Sequence, residues 1–577
     1  MPRLATIIVA SVLIAPPAAA QNPFTSEAAA RGVFHFTYGS IIAYGFGMAL
    51  VDLSGDAQLD LVLTGQIFGE VGVYQNTGAG NFSPVVASGI PPGASYVGIA
   101  AADYDADGDV DLYFSNLASP NVLARNDGGF QFSDVSAAAG VADPGYATGC
   151  AWGDFDGDGW PDLYVANRHP AQLEANRLFR NLGNGTFEEL SQALGVDVAA
   201  LSFQGRFLDY DRDGDADLYL SVDKGPAAGQ TNRLWRNDAG VFVNVSASSG
   251  AGVSEDSMGV GIGDFDRNGF ADLVITNTSA VGGNVLLMNE SGDFIDESAL
   301  YGISDVVSGW GAPVFDFDND GYEDFFVADS GELDAFYRGG PNPPFSEMAQ
   351  TLGLTSALLN SFCATSGDID GDGDVDLIVQ RSNALISIYI NHEGEARHWL
   401  KVRLAGAGAN TLGLGATVEL EANGVWQTRQ MLGSGSFKDA PPYELHFGLG
   451  TALAIATVRV IWPGGGVSEL SDVAADQTLI FSEPSPKPGV AYVRGDVNAD
   501  GLLNIADPIT LLGVLFAAGA APCDAALDTN GDDAVNLADA VYSLSAIFGT
   551  GPPLLPPTNC GDAATSQLLC VSFPPCR

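Results

Sequence analysis

The sequence predicts a mainly β protein: a seven-bladed β-propeller, then a small β-rich domain, then a small α-helical module with paired calcium loops. Three observations carry this. A nine-residue acidic pattern, D-x-D-x-D-G-x-x-D followed by an apolar residue, recurs seven times at intervals of 51, 51, 55, 55, 52 and 52 residues. Each interval holds about four short apolar runs bounded by Gly and Asn turns, the size of one propeller blade. Two further acidic loops lie 32 residues apart near the C-terminus.

The chain begins with an export signal over 1–20. Arg3 opens it, Leu4 to Ile14 form an apolar run, and Ala18-Ala19-Ala20 offers a small-residue cleavage site. The run is too short to span a bilayer, and no later stretch is apolar over eighteen residues. The mature chain is expected to be secreted, extracellular or on the cell surface, with the periplasm as the other oxidising address.

Residues 21–394 hold the propeller. In the third repeat the loop 154–162 leads to Leu163–Ala166, then Asn176–Asn181, then Thr186–Leu190, three strand candidates after the one that precedes the loop. The last repeat stops after Ile386–Asn391 without its outer strand, which would leave an exposed edge. Phe24-Thr25-Ser26-Glu27-Ala28 matches the outer-strand text Phe132–Ser136 and is expected to complete the seventh blade.

The net charge of −48 excludes nucleic acid and anionic membrane as partners, since both require basic surface. The positions of the acids point to calcium. Carboxylates at positions 1, 3, 5 and 9 converge on one point, and Gly at position 6 allows the sharp turn. The candidate ligands are Asp52, Ser54, Asp56 and Asp60 in the first repeat, and Asp103, Asp105, Asp107 and Asp111 in the second. They continue as Asp154, Asp156, Asp158 and Asp162, then Asp209, Asp211, Asp213 and Asp217. The last three repeats supply Asp264, Asp266, Asn268 and Asp272; Asp316, Asp318, Asp320 and Asp324; and Asp368, Asp370, Asp372 and Asp376. Repeat one departs, with Ser54 at position 3 and Ala57 at position 6, and its site is expected to be weak or empty. Tyr104, Phe155, Tyr210, Phe265, Phe317 and Ile369 at position 2 should point into the blades. The pattern resembles the FG-GAP/VCBS repeats of integrin-like and bacterial surface propellers.

Residues 395–484 form a β-rich domain. His398–Val402, Gly413–Ala416, Gly433–Ser436, Leu445–Gly450 and Val460–Gly465 resemble the ASPIC/UnbV domain that commonly follows such propellers. Phe437-Lys438-Asp439 stands where that family usually continues with an aromatic run. A Pro-rich linker, 485–491, leads to a module over 492–550. Its loops place Asp496, Asn498, Asp500, Asn504 and Asp507, then Asp528, Asn530, Asp532, Asn536 and Asp539, at calcium-loop spacing. The duplicated loop and helix resemble a type I dockerin, which implies a cohesin-like partner, although Ile505-Ala506 and Leu537-Ala538 replace the polar pair usual in that recognition. About six to nine calcium ions are expected in all. Cys523, Cys560, Cys570 and Cys576 near the Cys/Pro-rich tail, 551–577, suit disulfides, whereas Cys150 and Cys363 read as buried small hydrophobes.

No H-E-x-x-H zinc helix, phosphate-binding loop or G-x-S-x-G elbow is present. The expectation is therefore a calcium-dependent binder of glycan or extracellular protein, without catalytic residues. Arg168, His169 and Lys224, in the longest intervals, are its candidate ligand residues. The alternative is a carbohydrate-active enzyme or accessory subunit of a dockerin-linked polysaccharide-degrading system.

Overall fold

The computed structural model describes residues 23–484 apart from 39–44, 66–68, 93–94, 118, 170, 226–228, 279–281, 304–307 and 355–359. Beyond these it describes 497, 506–517, 524–527, 529 and 535–547. The export signal, the linker, the tail and its cysteines lie outside the described residues. The chain divides into two compact units between Ser482 and Glu483.

The first unit is mainly β and propeller-like. Each acidic pattern joins the first and second strands of an antiparallel sheet, in seven successive sheets. Sheet three shows the plan, with strands Ala147–Gly153, Asp162–Asn167, Arg177–Asn181 and Phe187–Glu189 in spatial order. The first strands are short of bulk because neighbouring sheets approach closely: a Cβ on Gly149 would lie 2.3 Å from the Phe203 carbonyl oxygen, and one on Gly259 2.2 Å from that of Trp310. Position-2 residues turn inward as the alternation requires, with Tyr104, Phe155, Tyr210, Phe265, Phe317 and Ile369 all buried. Cys150 and Cys363 are buried free thiols.

Phe24–Ser26 pairs antiparallel with Ser387–Asn391, in the register Phe24↔Asn391, Thr25↔Ile390 and Ser26↔Tyr389, so the N-terminal segment supplies the outer strand of the seventh sheet. A second set of contacts links the sheets. The Asn closing the third strand sends its Nδ2 to the position-2 carbonyl of the preceding sheet: Asn126 to Leu53 (2.9 Å), Asn181 to Tyr104 (2.8 Å) and Asn237 to Phe155 (2.6 Å). Asn289 reaches Tyr210 (2.8 Å) and Asn391 reaches Phe317 (2.6 Å). Asn76 of sheet one reaches Ile369 of sheet seven at 2.8 Å.

The rest of the unit is a three-stranded sheet around His398–Ala405 and a four-stranded sheet around Thr417–Ala422 and Ala454–Ile461. Between them, residues 433–440 leave the domain and run among the first strands of all seven sheets. Gly433 bonds Trp152 of sheet three (3.2 Å), and Ser436 accepts the Val260 N–H of sheet five (2.8 Å). Ser436 Oγ accepts the N–H of Ala312 just before sheet six (2.9 Å), and the Phe437 carbonyl accepts Cys363 Sγ of sheet seven (3.3 Å). The Lys438 N–H donates to Gln204 of sheet four (3.0 Å), and its carbonyl accepts Ile99 of sheet two (3.1 Å). Asp439–Ala440 then pairs in parallel with Met48–Ala49 of sheet one. Phe437 completes a buried cluster with Phe46, Phe203, Met258, Trp310 and Phe362.

In the second unit, helices Ala506–Ala517 and Leu537–Ile547 share a small core of Val497, Leu511, Leu527 and Ala540.

Candidate metal centres

Each propeller loop is built from its first and ninth positions. The ninth, an Asp at the head of the second strand, spends both oxygens on backbone. In repeat three, Asp162 Oδ2 accepts the Phe155 N–H (3.0 Å) and Oδ1 the Asn181 N–H (2.7 Å). The same pair of bonds recurs on Asp60, Asp111, Asp217, Asp272 and Asp376. In repeat six Gly339 takes the place of the Asn and donates to Asp324 at 2.6 Å. The first position holds the turn: Asp154 Oδ2 accepts the Gly159 N–H at 2.9 Å, and Asp103, Asp209, Asp264, Asp316 and Asp368 treat their own position-6 glycines alike. Gly159 has φ of +87° with open space around its Cβ position, so the glycine answers to backbone conformation. Position 4 is also left-handed, at Arg212 (φ 64°) and Arg267 (φ 63°), a strain the sequence pattern does not announce.

These bonds leave oxygens over. Asp105, Asp154, Asp209, Asp211, Asp264 and Asp370 each keep a buried Oδ1 with no hydrogen-bond partner. Several groups bring three carboxylate oxygens within 4.8 Å of one another: Asp103, Asp105 and Asp111; Asp154, Asp156 and Asp162; Asp209, Asp211 and Asp217; Asp264, Asp266 and Asp272; Asp316, Asp318 and Asp320. Burial, and after it neighbouring carboxylates, pushes Asp209 up to about 6, Asp154 and Asp264 to about 7 and Asp316 to about 8. A buried anion without a counter-charge is costly. An all-oxygen donor set of this kind suits a hard divalent cation, so the residues present fit a metal ion.

Basic side chains also meet the loops. Arg180 lies 2.6 Å from Asp156, Arg31 3.0 Å from Asp370, and Arg397 2.8 Å from Asp318. The β-rich domain sits on the loops: Lys401 reaches Asp368 at 2.7 Å, Thr411 donates to Asp103 at 2.7 Å, and Gln430 donates to the Asp209 carbonyl at 2.7 Å. Repeat one makes the same turn, with its first Asp satisfied inside the loop. Asp52 Oδ1 accepts the N–H groups of Gly55 (2.8 Å) and Asp56 (3.2 Å), Oδ2 that of Ala57 (2.7 Å), and the loop is exposed.

The candidate ligand residues lie in the connections after the second strands, away from the acidic loops. Arg168 and Lys224 converge on Asp223, which is 1% exposed: the guanidinium holds one carboxylate oxygen, and Lys224 Nζ stands 3.1 Å from the other and 3.1 Å from Asp256. Arg168 also stacks over Phe203 at 4.9 Å. His169 makes no part of this cluster and packs edge-on against Tyr146 at 4.2 Å.

In the helical unit, Asp539 is buried, and its carboxylate accepts the Thr529 and Asn536 N–H groups at 2.9 Å each, bonds that pin the start of helix Leu537–Ile547. Asp507 is buried in the first turn of its helix. Asp496, Asn498, Asp500, Asn504, Asp528, Asn530 and Asp532 lie outside the described residues. Among the described residues no helix is long and apolar enough to cross a membrane.

Residues 52–114, 103–165, 154–220, 209–275 and 316–379 match the FG-GAP-like repeat family, and 406–488 match ASPIC and UnbV. Cartilage acidic protein 1 of Xenopus tropicalis is 25% identical over 471 residues, covering 73% of this chain and 71% of that protein. The Mus musculus protein of the same name is 25% identical over 484 residues, covering 76% and 73%. Among solved structures, YCF48 from Cyanidioschyzon merolae matches 60% of this chain and 95% of its own at a TM-score of 0.38 and 10% identity.

Proposed function

We propose that this chain, which carries FG-GAP repeats and an ASPIC and UnbV domain and is related to cartilage acidic protein 1, is a secreted, calcium-loaded seven-bladed propeller that binds glycan or extracellular protein. The observation that carries the calcium reading is the set of buried, unpartnered carboxylate oxygens on Asp105, Asp154, Asp209, Asp211, Asp264 and Asp370. Calcium takes six to eight oxygens in a flexible cage, whereas magnesium demands a tighter octahedron. The Asn76-to-Ile369 bond supports a closed ring, because it returns sheet one to sheet seven.

Recognition is assigned to the edge that carries Arg168 and Lys224. The acidic loops are committed to metal and to the β-rich domain, which leaves the opposite connections as the polar surface on a rigid frame. Both cations are tied to Asp223, and Lys224 also to Asp256; Lys224, at 43% side-chain exposure against 12% for Arg168, is the one a ligand reaches first. In the helical unit, Ile509 and Val541, 32 residues apart, are 62% and 57% exposed and are the apolar residues assigned to a cohesin-like partner.

A glycan and matrix-protein array probed with and without calcium tests the reading. Lys224→Ala is expected to weaken any calcium-dependent hit at least fivefold with an unchanged melting curve. Full binding by that variant would place recognition elsewhere, and steady turnover of a polysaccharide hit would make the chain an enzyme.

A further inference from the structure

Residues 34–38 alternate strictly between solvent and core. His35 and Thr37 are fully buried, while Phe34, Phe36 and Tyr38 are 67%, 36% and 45% exposed. Phe36–Thr37 pairs antiparallel with Ala384–Leu385, which sets Leu385, 51% exposed, opposite Phe36 on the same face. The Ile386 N–H donates to the His35 carbonyl (3.0 Å) and the Tyr38 N–H to that of Gly65 (2.9 Å), so the backbone is held on both sides. The Phe36 and Tyr38 rings lie 4.8 Å apart, closer than the ~7 Å between alternate strand positions, and lean together outside the core. The repeats supply an internal comparison. Each connection from an outer strand to the next first strand turns at a glycine with positive φ, such as Gly32, Gly140 and Gly250. Two residues past it, the other six connections carry Pro91, Ala142, Asp197, Gly252, Ser304 and Thr355 in place of Phe34. Four past it, Phe36 is the sole aromatic residue among the seven. Blade packing therefore does not require these rings, and an exposed apolar patch peculiar to one connection marks a binding surface.

We propose that this stripe binds a neutral polysaccharide by stacking sugar rings on Phe34, Phe36 and Tyr38. An aromatic face carries negative charge density and takes the weakly positive C–H face of a pyranose. Neither 33–38 nor 382–387 holds an Asp, Glu, Lys or Arg, so the surface offers no counter-charge to an ionic ligand. The net charge of −48 repels an acidic one. At about 200 Å² per ring, the exposed part of the three aromatics comes to roughly 300 Å². Each side of a stable protein interface buries ~800 Å², so the stripe falls short of what a protein partner needs and suits a narrow chain of sugars laid along the strand. Ala384–Leu385 follows the second strand of the seventh sheet, at the end opposite its acidic loop. The surface therefore lies apart from Arg168 and Lys224 on sheets three and four, and it does not depend on recognition there.

The test is affinity electrophoresis of the full chain in gels cast with hydroxyethylcellulose, galactomannan or arabinoxylan, with alginate as the acidic counterpart. At least one neutral polymer is expected to retard the chain, and alginate is not. Phe34→Ala combined with Tyr38→Ala should weaken binding tenfold or more and Phe34→Leu at least fivefold, whereas Phe34→Trp and Lys224→Ala should change it less than twofold. The replaced side chains are exposed, so melting curves should match that of the wild type. Hydroxyl-radical footprinting of the wild type should show residues 33–38 protected by the same polymer, a readout that needs no variant. Retardation by no neutral polymer, or full binding by the double variant, would overturn the proposal. So would full binding by Phe34→Leu, which keeps apolar bulk for a protein partner without a ring for a sugar, or a dimer of the chain that the double variant dissolves. Binding lost with Lys224→Ala and kept by the double variant would leave recognition at the Arg168 edge and remove it here.

Discussion

The acidic loops of repeats one and three follow one plan and arrive at different chemistry. Both turn around a first-position Asp that accepts the position-6 N–H, and both end on a ninth-position Asp bonded to two backbone groups. In repeat one, however, Asp52 is satisfied by its own exposed loop, and position 3 is a neutral serine. In repeat three, Asp154 Oδ1 is buried and unpartnered beside Asp156 and Asp158. Spacing therefore determines the turn. Burial together with the number of carboxylates determines whether the turn leaves carboxylate oxygens without partners.

The largest expected effect follows from the calcium proposal and sets the other six loops against repeat one. With calcium about tenfold above a site's dissociation constant, each occupied site contributes about 1.4 kcal/mol, and six contribute about 8 kcal/mol. That is comparable to the whole stability of a domain. Excess EGTA should lower the melting temperature sharply, and magnesium should not restore it. A melting curve indifferent to chelator would remove the distinction between the loops.

The next effect concerns a buried histidine packed against sheet one, at the end of its second strand opposite the acidic loop. His35 is buried, with Nε2 2.9 Å from the Thr64 carbonyl, and burial lowers its imidazole to about 4. The unfolded chain takes up this proton near pH 6.5 and the folded one only near 4, so stability is full above pH 6.5 and falls as pH drops towards 4. The loss from this group alone approaches about 3 kcal/mol at the acid end. Denaturant titrations from pH 7 to 4 should show it, and the acid loss should flatten in His35→Gln.

Ring closure comes third. Asn76→Ala removes Nδ2 bonds to the Ile369 and Leu59 carbonyls, so a loss of about 2 kcal/mol is expected with or without calcium. A loss confined to calcium-loaded protein would mean that the contact belongs to metal binding instead.

The smallest effect compares the two loops directly. Asp154→Asn should cost about 1.4 kcal/mol in calcium and little in chelator. Asp52→Asn should cost about the same small amount in both. Equal calcium dependence for the two variants would make repeat one a working site.

Much of this was legible in the residues because metal loops are local. Positions 1 to 9 lie within one turn of chain, so their alternation predicts which atoms converge before any packing is known. The outer strand contributed by Phe24–Ser26 was legible for a similar reason, since a repeat missing a strand exposes its gap. Arg168 and Lys224 were picked out by loop length, but their convergence on Asp223 joins two sheets, and His169 beside them in sequence turns to Tyr146 instead. The recurrent Asn of the third strand was visible as a signature, yet its bond to the preceding sheet was not. Local spacing holds no information on which carbonyl a neighbouring sheet presents.

The sequence by itself therefore determined the repeat, the position-6 turn and the oxygen donors placed around it, consequences of alternation and of glycine's access to positive φ. Only the tertiary structure decided which oxygens are stripped of partners, where the β-rich domain sits and what fills the space among the first strands. Residues 433–440 reach all seven sheets because a small, glycine- and serine-rich segment can satisfy backbone groups that converge there from across the chain. Those groups are up to 391 residues away from their partners, as with Met48 and Asp439, and such pairing is set by the packing of whole sheets.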